Sequence, residues 1–400
     1  MVFPGRAENR VNPFLPKSLP RRTGRQEFVG SFSDKGYNNI STANPRTESL
    51  VEPLKALILA GGFATRLRPL SCSKPKLLFP IVGTPLIDYM SDWLDRGNVE
   101  ELILAVNHLS DKLRMEVAAR KMGNRMVLSV EETPLGTGGP LRLATGVMSG
   151  REPVIVVNGD IVSDIDLKGL TRAHLASGAE ATLAVFSVRD TRPFGLVTLD
   201  SGDHIIGFEE KSPKAQGPGW INAGVYLLNH SVIGMIPKGQ VVSLEREIFP
   251  ALANRMKLRG WRHYGFWYDI GKVKDYVATN MDMLKRGEQL LSNARKDISP
   301  AVDIEQPSHV GSGCVIASDA KVGPYAILSP KVKVKNGAMV RDAILFEDTT
   351  IDEGCRVEGA VIGEGTRIGK GTTIGKGSVI AGEVVIPEHS VVNPGSIVLN

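Results

Sequence analysis

Aliphatic residues recur at every sixth position near the C-terminus, and this periodicity constrains the fold of the chain more than any other feature. The fourth residue after each periodic aliphatic is small or β-branched, which predicts a triangular solenoid with aliphatic residues along its axis. The register slips between Val340 and Ile351 and between Val357 and Ile362, so we expect a bulge or loop at both places. The aliphatic residues are Val310, Ile316, Val322, Leu328, Val334 and Val340, then Ile351, Val357, Ile362, Ile368, Ile374, Ile380, Ile386, Val392 and Val398.

This pattern resembles the left-handed parallel β-helix made of hexapeptide repeats. Its 15 hexads predict about five triangular coils. We place the β-helix at 309–400 and a polar linker at 287–308. Cys314 and Cys355 occupy small-residue positions of the repeat, which indicates corner packing rather than redox chemistry.

Residues 53–286 have a different organisation, in which short apolar runs alternate with amphipathic segments. Alternating strands and helices predict an α/β domain with a doubly wound, Rossmann-like parallel sheet, whose ligands bind at the carboxyl ends of the strands. From about residue 180 the strands become antiparallel in character. The predicted segments are Ala56–Leu59, Leu86–Leu94, Leu102–Val106, Leu109–Ala119, Met126–Val130, Leu141–Val147, Val154–Val157, Ala181–Val188, Leu196–Leu199, Ile221–Leu228, Leu244–Asn254 and Lys272–Arg286.

Composition excludes several classes of protein. The chain of 400 residues has 48 Lys and Arg against 43 Asp and Glu, and residues 1–52 supply +3 of the net charge of +5, so nucleic-acid binding is not indicated. The three cysteines form no C-x-x-C pair, which favours a reducing compartment, and no apolar stretch is long enough for a membrane span. These features predict a cytoplasmic protein that is not bound to a membrane.

Residues 1–52 are rich in Pro, Arg, Ser and Asn and lack helix or strand periodicity. Such a segment buries too little apolar surface to offset the entropy of ordering, so we expect a disordered tail. Its acidic residues argue against a transit peptide. A second explanation of this tail is that the gene start was assigned too far upstream and that the protein begins near Val51.

A glycine-rich turn follows the first predicted strand. The chain runs from Ala56–Leu59 into A-G-G-F-A-T-R-L-R-P-L and then into Pro75-Lys76. Glycines let the backbone approach a phosphate, and Arg66 offers forked donors to its oxygens. The tract resembles the signature of the sugar-1-phosphate nucleotidyltransferases, G-G-x-G-T-R-L-x-P-L followed by P-K. Ala64 is a departure, because the family usually has Gly at that position.

Further landmarks of that family follow in the expected order, and the resemblance covers residues 53 to about 285. A second departure is Ser212, where the family often has Pro. The landmarks are Pro134-Leu135-Gly136-Thr137-Gly138-Gly139, Gly159-Asp160, Phe194-Gly195, Glu210-Lys211, Asn222-Ala223-Gly224 and Trp267-Tyr268-Asp269-Ile270-Gly271.

The resemblance implies attack of a sugar 1-phosphate oxygen on the α-phosphorus of a nucleoside triphosphate, with release of pyrophosphate. It also implies Mg²⁺ and a homo-oligomer assembled through the β-helix. Lys74 and Arg68 are interpreted as rim charges. The implied residues are Arg66, Lys76 and Asp160 for catalysis, Gly61, Gly62, Arg66, Lys76, Glu131 and Gly136 for the nucleotide, Gly195, Glu210, Lys211 and Asn222 for the sugar phosphate, and Asp160 and Asp269 for the metal.

Three short sequence tracts point to one branch of the family. The tracts 131–137, 242–250 and 265–271 resemble those of the mannose-1-phosphate guanylyltransferases of eukaryotes and archaea. Glu131 stands where uridylyl and thymidylyl enzymes often have Gln, and a carboxylate can accept both donors of guanine. We therefore expect GTP and mannose 1-phosphate as substrates.

Three alternatives remain open. One is an enzyme that makes UDP- or dTDP-glucose, since the sugar is chosen by side-chain geometry. Another is a bifunctional enzyme whose β-helix transfers an acetyl group, for which His309 and His389 are the possible bases in that helix. The last is a non-catalytic regulatory subunit, and the presence of Arg66, Lys76, Asp160 and Asp269 argues against it.

Overall fold

A computed structural model describes most of the chain downstream of residue 52. The predictions of a disordered tail, of a start near Val51 and of a phosphate-binding Lys211 lie outside the described residues. The described ranges are 53–107, 110–119, 125–148, 150–210, 217–287 and 302–399. Within these ranges we find no helix with both the length and the apolarity that a bilayer span requires.

A nine-stranded mixed sheet forms the centre of the α/β domain, with β1 lying between β4 and β6. Strands β1, β4, β5 and β6 run parallel, and β11 pairs antiparallel with β6, so the sheet changes character where the sequence predicted. The strands are β1 (Leu54–Leu59), β2 (Pro80–Ile81), β3 (Thr84–Pro85), β4 (Val99–Val106), β5 (Met126–Val130), β6 (Val154–Asn158), β7 (Ile161–Ser163), β8 (Ala181–Val188), β9 (Gly195–Leu199), β10 (Ile205–Glu210), β11 (Gly219–Leu228), β12 (Leu258–His263) and β13 (Trp267–Asp269).

Helices cover both faces of this sheet, as the doubly wound prediction required, and a hydrophobic core lies on each side. The predicted helix at Leu244–Asn254 is a π-helical turn at Leu244–Ile248 that continues into α6. The helices are α1 (Leu86–Arg96), α2 (Ser110–Ala118), α3 (Gly139–Ala144), α4 (Leu167–Ser177), α5 (His230–Gly234), α6 (Phe249–Asn254) and α7 (Val273–Arg286), with short 3₁₀ turns at Thr65–Leu67, Leu70–Cys72 and Lys76–Leu78.

The C-terminal domain is a left-handed parallel β-helix, and its three faces are stacks of six, six and five short strands. The first face consists of Asp303–Ile304, Lys321–Val322, Met339–Arg341, Arg356–Glu358, Thr373–Ile374 and Val391–Val392. The second consists of His309–Val310, Ile327–Leu328, Ile344–Leu345, Val361–Ile362, Val379–Ile380 and Ile397–Val398. The third consists of Val315–Ile316, Lys333–Val334, Thr350–Ile351, Arg367–Ile368 and Val385–Ile386.

Two details of the β-helix differ from the sequence prediction. Its first strand, Asp303–Ile304, lies within the range 287–308 that was predicted as a linker, and it pairs with Lys321–Val322. Ile304 lies six residues before Val310, so the repeat extends one strand further than predicted. Both expected register slips are corners that are one residue shorter than the others. Leu345 follows Val340 by five residues, and Ile362 follows Val357 by five. Leu345 and Ile362 both belong to the buried core along the axis.

The second face packs against the α/β domain, and we call it the docking face. Its outward side chains Ile327, Ile344, Val361 and Val379 are buried in the same hydrophobic core as α1 and α7. The corner cysteines behave as predicted, since Cys314 and Cys355 are buried and their thiols donate to backbone carbonyls within the β-helix.

Candidate active site

The glycine-rich turn leaves the carboxyl end of β1, between β4 and β6. Ala64 adopts the left-handed conformation, with φ 47° and ψ 38°, and its carbonyl accepts a 2.8 Å hydrogen bond from Ser71 Oγ. This backbone shape is the reason for Gly at the position in related sequences, because a Cβ costs about 1 kcal/mol there. The departure at Ala64 is therefore accommodated, and the turn keeps its shape.

Lys76 and Asp160 form an ion pair below this turn. Lys76 begins a 3₁₀ turn, Asp160 follows β6, and Lys76 Nζ lies 2.9 Å from Asp160 Oδ2. Burial by itself raises the pKa of Asp160, but the charges of Lys76 and Arg66 and the hydrogen bond from Lys76 outweigh it and hold that pKa below 3.8. Asp160 is therefore ionised at neutral pH.

Asp269 is the second carboxylate of this cluster. It ends β13, which pairs with β7 directly after Asp160, and Ile270 N donates a 2.9 Å hydrogen bond to the Asp160 carbonyl. Burial and the nearby charge of Asp160 raise the pKa of Asp269 above 3.8. The two carboxylates therefore repel each other, and further positive charge beside them would be favourable.

Arg66 completes the cluster from the glycine-rich turn. A Cβ at Gly271 would lie 2.9 Å from its guanidinium and 2.8 Å from Asp269 Oδ1, so the Arg66 and Asp269 side chains both approach this glycine closely. The Arg66 side chain is exposed at the turn, with its fork of donors beside the two carboxylates. Residues more than 200 positions apart in the chain thus meet at one edge of the sheet.

A cleft of about 190 Å³ opens beside the carboxylates. Asp160 and Asp269 line one part of it, and Gly195, Asn222 and Glu245 line another. Asn222 is held in place, because its Nδ2 donates to the Tyr226 hydroxyl at 2.9 Å and its Oδ1 accepts from Gly224 N at 2.9 Å. The structure therefore brings two of the predicted sugar-phosphate residues to the predicted metal pair.

Glu245 is a residue of this cleft that the sequence analysis missed. It is 9% exposed, and its carboxylate accepts hydrogen bonds from the hydroxyls of Thr137 at 2.6 Å and Tyr226 at 3.3 Å. The tract 242–250 had been noted only for its resemblance to relatives. No signal in the sequence separates Glu245 from the neighbouring Glu247, which is exposed.

Glu131 lies beside the glycine-rich turn. Its side chain is buried, its Oε2 accepts a 2.9 Å hydrogen bond from Leu135 N, and a Cβ at Gly61 would lie 2.8 Å from its Oε1. Burial raises the pKa of Glu131, partly offset by the hydrogen bond from Leu135. By contrast a Cβ at Gly62 would meet no described atom within 4 Å, so this glycine borders open space.

The remaining predicted residues have mixed outcomes. Gly136 has φ 78° and packs against the Val242 carbonyl, where a Cβ would clash, so its glycine is required by the contact between two loops. The backbone of Glu210 pairs with Gly195 across β9 and β10. Arg68 is exposed, but the prediction that Lys74 is a rim charge is wrong, because Lys74 is only 5% exposed and pairs with Glu347 of the β-helix.

A glycine-rich turn after β1, a lysine–carboxylate cluster and an adjoining cleft define a nucleotide-binding α/β enzyme. Comparison with known proteins gives the particular family. The nucleotidyl transferase family model matches residues 55–286, and the model named GMPPB C-terminal domain matches residues 304–400. The chain belongs to the nucleotidyl transferase family.

Relatives agree with this assignment. The chain is 33% identical over 296 residues to mannose-1-phosphate guanylyltransferase 1 of Arabidopsis thaliana, covering 72% of this chain and 81% of the relative. It is 36% identical over 275 residues to the mannose-1-phosphate guanylyltransferase catalytic subunit beta of Drosophila pseudoobscura pseudoobscura, covering 66% and 72%.

A solved structure supports the fold of the α/β domain. The crystal structure of HddC from Yersinia pseudotuberculosis has a TM-score of 0.50 and 26% sequence identity, covering 57% of this chain and 99% of that one. A second structure of HddC, complexed with GMP-PN, matches equally well.

Proposed function

We propose that this nucleotidyltransferase converts GTP and mannose 1-phosphate to GDP-mannose and pyrophosphate. A phosphate oxygen of the sugar attacks the α-phosphorus of GTP, the new P–O bond forms, and the bond to the β-phosphate breaks to release pyrophosphate. The observation that carries the proposal is the cluster of Arg66, Lys76, Asp160 and Asp269 in a chain whose relatives are named mannose-1-phosphate guanylyltransferases.

Charge neutralisation is the main task of such a site, because two highly anionic substrates must approach each other. We assign Arg66 and Lys76 to the triphosphate, since Arg66 is exposed at the turn and the partly buried ammonium group of Lys76 borders the same carboxylate cluster. Asp160 orients Lys76 through their 2.9 Å contact, so the ammonium group is held in place before substrate arrives.

We assign Mg²⁺ to Asp160 and Asp269. The donor set fits, because the mutual repulsion of two half-buried carboxylates is relieved by a hard divalent cation. Among the described residues no group of three or more His, Cys, Asp and Glu side chains is placed to hold a metal. Phosphate oxygens and water would therefore supply the other ligands, as is usual for Mg²⁺. When bound, the ion supplies charge screening between the two phosphate groups.

The cleft beside the carboxylates is our candidate for the mannose 1-phosphate site. We assign the backbone of Gly195, the amide of Asn222 and the carboxylate of Glu210 to sugar hydroxyls, and Lys211 to the sugar phosphate. Gly195 and Asn222 line the same cleft as Asp160, which supports the assignment of these two residues.

Glu131 is our candidate for reading guanine. One of its oxygens accepts from Leu135 N, yet each carboxylate oxygen has a second lone pair, so two donors of guanine can still be accepted. The Glu131→Gln variant should lower the ratio of kcat/KM for GTP to that for UTP by about tenfold. Glu132→Gln is the matched control, because its side chain is exposed next to Glu131. An unchanged ratio in Glu131→Gln would refute this role.

A substrate grid tests the whole proposal. Pyrophosphate release is measured for GTP, UTP, dTTP, ATP and CTP, each crossed with mannose, glucose and N-acetylglucosamine 1-phosphates, with Mg²⁺ and with a chelator. We expect the highest turnover with GTP and mannose 1-phosphate and none with the chelator. A UTP or dTTP optimum would overturn the base assignment, and no turnover in the grid would favour a regulatory subunit.

We also propose a cytoplasmic homo-oligomer assembled through the β-helix. Large apolar side chains are exposed on its last coils, at Val385, Val391 and Ile397. They lie on three different faces, so contacts with further copies on more than one face would remove them from water.

A further inference from the structure

The β-helix touches the segment that carries Lys76 on both sides of that residue. Ser73 and Lys74 precede Lys76, and Phe79 follows it. All three make side-chain contacts with residues of the β-helix. The family resemblance suggested only an assembly role for the β-helix, so these contacts require a separate explanation.

Lys74 supplies the strongest of these contacts. Its ammonium group forms an ion pair and hydrogen bond with Glu347 Oε1, and the lysine is 5% exposed. A buried lysine without its partner is strongly destabilised, because its charge has lost both water and the counter-ion. The position of the Lys74 side chain therefore depends on Glu347.

A second polar contact lies next to the first. Ser73 Oγ donates a 3.0 Å hydrogen bond to Glu364 Oε1, and Lys112 Nζ lies 3.3 Å from the same oxygen. Lys112 Nζ also donates to the Ser73 carbonyl at 2.8 Å. Glu364 thus holds Ser73 directly and through Lys112.

An aromatic contact lies on the other side of Lys76. The rings of Phe79 and Phe346 have centroids 5.5 Å apart in an edge-to-face arrangement, and Tyr276 of α7 packs against both. Phe346 and Glu347 are consecutive residues directly after a strand of the docking face. A single corner of the β-helix therefore contacts the segment on both sides of Lys76.

We propose that Glu347 is a positioning residue of the active site, which acts on Lys76 by anchoring the neighbouring Lys74 to the β-helix. The two lysines are two residues apart, and each has its own acidic partner. Loss of the Glu347 charge would release Lys74 from the β-helix, and the segment from Lys74 to Phe79 would then hold Lys76 less firmly against Asp160. By anchoring the residues that precede Lys76, the β-helix keeps the Lys76–Asp160 pair in place for the triphosphate.

The inference rests on the proposed function only for the identity of the substrates. Glu347→Gln preserves the shape of the side chain and an oxygen that can still accept from Lys74, and circular dichroism with thermal unfolding checks that the variant folds before its kinetics are measured. Glu353→Gln is the matched control, because Glu353 pairs with Lys370 on the exposed surface of the same β-helix. Steady-state kinetics with GTP and mannose 1-phosphate and calorimetric binding of Mg²⁺·GTP are measured for both variants.

We expect Glu347→Gln to lower kcat/KM for GTP by about tenfold, with the KM for mannose 1-phosphate within about twofold of wild type. GTP binding should weaken in parallel, and Glu353→Gln should match wild type. In a Lys76→Met background, Glu347→Gln should have no additional effect, because its action passes through Lys76.

Two results would overturn the proposal. One is wild-type kinetics and GTP binding in Glu347→Gln, and the other is an equal fold-loss in the presence and absence of Lys76. If wild type binds GTP but does not turn over, the proposed function fails, and the binding comparison still decides the role of Glu347.

Discussion

His309 makes the stability of the protein depend on pH through the docking of the β-helix. The imidazole lies at the start of the docking face and packs against Gly83, in the turn between β2 and β3. Burial lowers the pKa of His309 from 6.5 to about 4. The folded protein therefore keeps this ring neutral at a pH where the unfolded chain has already protonated it.

The sign and size of the effect follow from linkage. Because the folded pKa lies below the unfolded one, stability is full above about pH 6.5 and falls as the pH drops toward about 4. The pKa of His309 falls from 6.5 to about 4 on folding, which is a difference of about 2.5 pKa units. Each unit corresponds to about 1.36 kcal/mol, so the largest loss of stability is about 3.4 kcal/mol. The ring keeps some contact with solvent, and we therefore expect about 2 kcal/mol between pH 7 and pH 4.5.

The His309→Gln variant isolates this contribution, since Gln is polar, similar in length and does not titrate. Urea unfolding of both proteins at about pH 7 and about pH 4.5 gives the four free energies. Other groups titrate equally in both proteins, so the wild type should lose about 2 kcal/mol more than the variant. Equal losses in the two proteins would refute the reasoning.

Two further predictions concern the glycine-rich turn and the cysteines. Ala64→Gly should raise the free energy of unfolding by about 1 kcal/mol without loss of activity, because it relieves a left-handed alanine; a lower thermal midpoint would contradict this. A thiol reagent should label only Cys72 in the native protein, because Cys314 and Cys355 are buried and burial raises the pKa of Cys314 to about 11. Mass spectrometry checks the labelled site, and label on Cys355 before unfolding would contradict the corner packing.

The described part of the fold follows in large measure from local patterns in the sequence. A hexad of aliphatic and small residues is a local signal, and it predicted the β-helix and the place of its cysteines. The order of motifs along 53–286 likewise predicted a mixed sheet with the glycine-rich turn after β1. Arg66, Lys76, Asp160 and Asp269 were named as one site, and the structure brings them together.

What the sequence could not show are contacts between residues that are far apart in the chain. Lys74 and Glu347 are separated by 273 positions, and neither belongs to a pattern that predicts the other. A lysine beside a catalytic motif has the same sequence appearance whether it is solvated or buried, so the rim interpretation of Lys74 was wrong.

Glu245 was missed for a related reason. Its buried carboxylate accepts hydrogen bonds from the hydroxyls of Thr137 and Tyr226, and these groups come together only in the folded chain. Periodicity and motif spacing thus determined which elements form and which chemistry they offer. The packing of the docking face on the α/β domain decided which charges are paired and which stay free for substrate, because ion pairs and burial depend on distances in space.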